Sequence, residues 1–83
     1  MSDAIIQSKV AAIVAQVLDI PASDISSSAD FYNDLGCKPA DKTRLMIAIE
    51  RVFDIDIEDE DLRKTSTVGE LVTLVCSKCK LTT

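Results

Sequence analysis

The sequence predicts an all-α fold: a small antiparallel four-helix bundle, three longer helices plus one short, with a long first loop. Three observations carry this expectation. Apolar residues recur at helical spacing in three separate segments. Start and stop signals bracket those segments, with a proline soon after the first and a capping box ahead of the last. The apolar fraction of 47% comes mainly from Ile, Val, Leu and Ala, with Phe31, Tyr32 and Phe53 the only aromatics and no Trp, which suits packed helices. A chain of 83 residues has room for one core. Residues 1–83 are therefore expected to form a single domain.

The first helix is expected from about Asp3 to Leu18. Ile6, Val10, Ile13, Val14 and Val17 form its stripe, Ile5 and Leu18 widen it, and Gln7, Lys9 and Gln16 take the other side. Pro21 fits a stop shortly after Leu18. A long connection from about Asp19 to Pro39 follows, rich in Ser and Asp, with Ile20, Ile25, Phe31 and Leu35 as expected apolar anchors. Leu45, Met46, Ile49, Val52 and Phe53 mark the second helix, which ends near Phe53 or Asp54. Its start has two readings: Pro39 at the first helical position, where a missing N–H costs nothing, or Asp41 as a cap two residues later. A short third helix is placed around Asp59–Lys64. Thr67-Val68-Gly69-Glu70 satisfies a capping box, and Val68, Leu71, Val72, Val75 and Cys79 then share one face of the fourth helix.

Charge and composition exclude several functions. The net charge of -5 argues against nucleic acid as the main partner, because phosphate backbones call for a surplus of Lys and Arg on one face. Charge is also segregated. Residues 54–61 carry six carboxylates and no cation, while residues 37–53 carry Lys38, Lys42, Arg44 and Arg51 against Asp41 and Glu50, a balance of +2. No apolar run reaches membrane-spanning length and no cationic region leads into a signal core, so a cytoplasmic protein without membrane contact is expected.

Cys37, Cys76 and Cys79 are an odd number, which argues against a disulfide framework. The Cys76-Ser77-Lys78-Cys79 spacing occurs in redox and zinc motifs, but no second pair and no His accompany it. Two small thiols near a helix end is the expected reading, with a metal or redox protein built on the three cysteines as the rival. The acidic run fails as a calcium loop: counted from Asp54, Asp59 stands where the sharp turn needs Gly and Thr65 where a bidentate Glu is needed. No His, Gly-rich phosphate loop or paired carboxylates against an apolar pocket suggests catalysis. The chain reads as a non-enzyme that binds no metal.

Asp34-Leu35-Gly36, the helix ending at Phe53 and Thr67-Val68-Gly69-Glu70-Leu71, in this order and with the Ile20-Pro21 and Ala29-Asp30-Phe31 loop between the first two helices, resemble the acyl and peptidyl carrier proteins over roughly residues 5–76. The resemblance implies the helical bundle, a phosphopantetheine arm on a serine that opens the second helix, and synthase or synthetase partners that read that helix. Asp34-Leu35-Gly36 and Phe53, aligned without gaps, bring the family's Asp-Ser-Leu onto Lys38, Pro39 and Ala40. All three positions differ, and proline offers no nucleophile.

The variant attachment motif is thus Gly36, Cys37, Lys38, Pro39 and Ala40, and no prosthetic group is expected on the chain as written. Cys37 lies at the helix start, where a thiol's pKa falls and direct thioester formation is conceivable; the plainer reading is a small buried apolar residue. Thr43 and Ser26-Ser27-Ser28 offer hydroxyls without a loading motif. Lys42, Arg44 and Arg51 are expected to face solvent and bind partners. Their mixed-to-basic helix points toward peptidyl or polyketide assembly and away from fatty-acid synthase enzymes, whose carriers present an acidic one. A monomeric carrier-family domain with an unloadable site is the expectation. The alternative is a pseudo-carrier that occupies or regulates a synthase enzyme without holding cargo.

Overall fold

A computed structural model describes residues 3–80, with side chains from Ala4 to Cys79. It is all-helical: α1 (Asp3–Leu18), α2 (Pro39–Phe53), α3 (Asp59–Lys64) and α4 (Val68–Lys80), with a single 3-10 turn at Ala22–Asp24. Helix α1 packs against both α2 and α4. Ile6, Val10 and Val14 from α1, Leu45 and Ile49 from α2, Leu71 and Val75 from α4, and Phe31 from the long connection meet in one core. Between α1 and α2, Phe31 and Ala29 are buried, and Ile25 and Leu35 pack half-buried against the core. Ile5, expected to widen the stripe of α1, is half exposed instead.

Backbone hydrogen bonds fasten this connection to the far end of the chain. The Phe31 N–H donates to the Ser66 carbonyl at 3.0 Å, the Val68 N–H to Ala29 at 3.1 Å and the Gly69 N–H to Ser27 at 2.8 Å. Asp30 and Thr67 form an isolated antiparallel bridge, and no strand extends it among the described residues. Because the first donors of α4 have no partner inside the helix, the loop carbonyls of Ser27 and Ala29 supply them from outside. Glycine is required at 69, since a Cβ there would lie 2.9 Å from the Ser27 carbonyl oxygen. The capping box closes as its spacing predicts: Thr67 N–H donates to the Glu70 carboxylate at 3.0 Å, and Glu70 N–H to the Thr67 hydroxyl at 3.2 Å. Hydrogen bonds from the Ser66 and Thr67 N–H groups hold the Glu70 carboxyl below its usual range.

Two residues of α2 lie on the side opposite to expectation. Val52 is 53% exposed, and Lys42 is only 5% exposed. Helical geometry explains both. At about 3.6 residues per turn, Lys42, Met46, Ile49 and Phe53 fall on one line, and Lys42 occupies its first place; Val52 falls at the stripe's edge. The Lys42 stem fills the core's rim, and its ammonium donates to the Thr65 carbonyl, the C-cap of α3. It also lies 5.1 Å from the Tyr32 ring centre and 6.0 Å from that of Phe31. A helix C-terminus and two ring faces are each favourable to a cation. Burial nonetheless pulls the Lys42 pKa down.

Lys42→Glu is therefore expected to cost about 3 kcal/mol or more in urea unfolding, because it sets a carboxylate against a carbonyl and removes the cap. Arg44→Glu, at a mostly exposed side chain, should cost less than about 1 kcal/mol. Equal, small losses for the two would show that the Lys42 contacts contribute little.

Candidate functional site

The start of α2 is the site on which the sequence argument converges. Lys38 is the N-cap, with extended backbone, and Pro39 is the first helical residue, which resolves the two readings of the helix start in favour of proline. Asp41 completes half a capping box by accepting the Lys38 N–H at 3.2 Å; lysine has no acceptor with which to supply the other half. The Asp41 carboxylate also pairs with the Arg44 guanidinium, and these two hydrogen bonds, the arginine's first, hold its pKa low. The Thr43 hydroxyl donates back to the Pro39 carbonyl at 3.2 Å.

Gly36 turns the chain into this helix with φ of +66°, a left-handed conformation that suits glycine. Lys38, Pro39 and Ala40 are exposed, whereas Cys37 is only 4% exposed. Its N–H donates to the Phe31 carbonyl at 2.7 Å, and its Sγ lies 3.5 Å from the Lys38 carbonyl oxygen. Burial foremost, then the Asp41 charge, pushes the thiol pKa up against a smaller downward pull from Lys42. The pKa-lowering effect expected of the helix N-terminus therefore does not prevail, and the plainer reading of Cys37 is the one the geometry favours.

The partner-binding residues separate. Arg44 and Arg51 are exposed, while Lys42 belongs to the core and is withdrawn from the expected docking set. On the wheel, Ala40, Arg44, Ile47 and Arg51 share one outward ridge; Ile47 is half exposed and was absent from the sequence-based site. In the acidic run, Asp61 serves local structure: it accepts the Glu58 N–H and pairs with Lys78, each at 3.2 Å. Glu50, ahead of the run, accepts the Ile57 N–H at 2.8 Å. Cys76 and Cys79 lie half-buried one turn apart on α4. Among the described residues, no three His, Cys, Asp or Glu side chains are gathered as a metal site.

With this geometry in place, the relatives are informative. The phosphopantetheine attachment site family matches residues 8–75. An acyl carrier protein of Prochlorococcus marinus (strain MIT 9515) is 37% identical over 78 residues, covering 94% of this chain and 98% of that protein. The chain belongs to the carrier-protein family. Carrier proteins bear phosphopantetheine, work with synthase or synthetase enzymes and are not themselves catalysts. No described helix of this carrier-family chain is long and apolar enough to cross a membrane.

The residues at the start of α2 do not fit covalent attachment of that arm. Residues 36–40 carry no hydroxyl to take up the arm, and their one thiol, Cys37, is buried, with its pKa pushed up by that burial. The nearest hydroxyl on the helix, Thr43, is one turn further on and donates to backbone. Cys37 is accordingly expected to react with iodoacetamide at least about tenfold more slowly in the folded protein than in denaturant, as followed by peptide mass mapping. Equally rapid alkylation in both states would show an accessible thiol and reopen Cys37 as an attachment point.

Proposed function

We propose that this chain is a monomeric, single-domain carrier-family protein that docks on a synthase or synthetase enzyme without bearing a phosphopantetheine arm. The observation that carries this reading is that residues 36–40 hold no hydroxyl and that their one thiol, Cys37, is buried. Pro39 occupies the family's serine position when Asp34-Leu35-Gly36 sets the register. Lys38, at the position of the family's aspartate, further reverses the charge offered to a loading enzyme. The carrier frame itself is kept, so its value to the cell lies in what its surface can bind. It acts as a pseudo-carrier, competing with or regulating a loaded relative.

The outward ridge of α2 is the docking face. Arg44 and Arg51 flank Ile47, so the ridge offers two cations around an exposed apolar side chain. Such a face fits an acidic groove with an apolar seat on the partner. Because electrostatic complementarity selects partners, this charge favours a peptidyl or polyketide system over fatty-acid synthase enzymes built for acidic carriers.

Incubation with coenzyme A and a promiscuous phosphopantetheinyl transferase should leave the intact mass unchanged. Pro39→Ser alone should recover little modification, and Lys38→Asp with Pro39→Ser and Ala40→Leu should recover more. Efficient modification of the unaltered chain refutes an armless carrier.

Docking is tested separately. Arg44→Glu with Arg51→Glu should lower the association rate with the cognate synthase or synthetase about tenfold at low salt and make its salt dependence shallower. Rates indifferent to both substitutions and ionic strength would exclude this face.

A further inference from the structure

A cavity of about 290 Å³ opens beside Pro39, lined by Tyr32, Lys42, Thr43, Arg63 and Ser66 among others. Two cations and three hydroxyl groups border it, and no carboxylate does. One of those cations is unusual in its setting. Lys42 is almost wholly buried, yet its single hydrogen-bond acceptor among the described residues is the neutral Thr65 carbonyl. Its ammonium has three donors. No carboxylate forms an ion pair with it among the described residues, although buried charges ordinarily find a counter-charge.

The two carboxylates close enough to act on Lys42 through space, Asp30 and Glu70, are engaged elsewhere. Asp30 accepts the Tyr32 and Asn33 N–H groups, each at 2.9 Å, and Glu70 accepts those of Ser66 and Thr67. Arg63, near the end of α3, is exposed and likewise forms no ion pair among the described residues. Its planar fork can engage two oxygens of an anion at once. The Tyr32 and Ser66 hydroxyls add neutral donors at the same rim.

We propose that this cavity is a non-covalent binding site for a phosphoryl dianion, supplied as inorganic phosphate or as the terminal group of a phosphate monoester. The match is one of number and geometry. A phosphoryl group presents three strong acceptor oxygens and close to two negative charges, against which stand an ammonium, a guanidinium fork and two hydroxyl donors. A carboxylate, with one charge and two oxygens, would leave half of this donor set unused. The site adjoins the proposed docking helix but does not depend on partner binding or on the fate of residue 39.

The test is an NMR titration of isotopically labelled protein whose intact mass shows it to be unmodified, so that loading cannot affect the result. Three probes are added in turn: inorganic phosphate, pantetheine 4′-phosphate and pantetheine, which lacks the phosphate. Saturable shifts are expected at the amides of Tyr32, Thr43, Arg63 and Ser66 with the first two probes and none with the third. Tighter binding of the monoester would assign the site to an esterified ligand, and equal binding would assign it to the phosphoryl group alone. Arg63→Gln should weaken binding about tenfold while leaving the remaining spectrum in place, as the loss of one charge-assisted contact implies. Lys42→Arg, which keeps the charge, should retain binding more fully than Arg63→Gln. Shifts that never saturate, that scatter over the exposed lysines, that appear equally with pantetheine or that persist unchanged in Arg63→Gln would overturn the proposal.

Discussion

The bond between the long first connection and the start of α4 is the constraint on which the site depends. Twenty residues with little regular structure separate α1 from α2, and such a segment would not hold a helix start in place by its apolar anchors alone. Three backbone hydrogen bonds to Ser66, Val68 and Gly69 fix it across the bundle. Two of them, from the Val68 and Gly69 N–H groups, satisfy donors that α4 would otherwise leave open. One clip thus terminates a loop, starts a helix and sets the position of Phe31, whose carbonyl then holds the Cys37 N–H. The start of α2 inherits its position from that chain of contacts.

Lys42 closes the arrangement from the opposite side. By donating to Thr65 it ties α2 to the α3–α4 junction, one residue from Ser66, to which the loop itself is fastened. Loop, α2 and junction therefore converge on one small region, and the cavity beside Pro39 lies on its outer edge. A buried ammonium is a costly way to join helices, since desolvation opposes its charge. The α3 carbonyl terminus and the two rings offset part of that cost. The same residue borders the cavity lined by the hydroxyls of Tyr32, Thr43 and Ser66, so the packing of the fold also sets a charge beside that space.

The carrier frame of this chain does not depend on the residues that stand at its attachment position. The capping box of α4, the Gly36 turn, the core and the body of α2 are all in place, because each rests on backbone geometry and apolar packing beyond residues 38–40. Pro39 fits the first turn of α2 as well as a serine would, since no donor is needed there. What proline lacks there is the hydroxyl, a side-chain property separate from the backbone role it fills.

The sequence by itself determined the elements. Helical periodicity fixed α1, α2 and α4, the Thr67–Glu70 spacing fixed where α4 is capped, and the absence of a hydroxyl at Lys38, Pro39 and Ala40 is a matter of residue chemistry alone. Such properties are local, set by neighbours within one or two turns. Burial of Lys42 was half legible: its position is in phase with Met46, Ile49 and Phe53, but its charge argued for solvent, and charge is the better guide until a carbonyl and aromatic rings are known to be waiting. Cys37 was left open for the same reason, because a helix N-terminus lowers a thiol's pKa while burial raises it, and only packing says which prevails. The cavity was not legible at all. Tyr32, Lys42, Arg63 and Ser66 come from three parts of the chain, and tertiary structure alone, through the clip between loop and α4, brings them to one place.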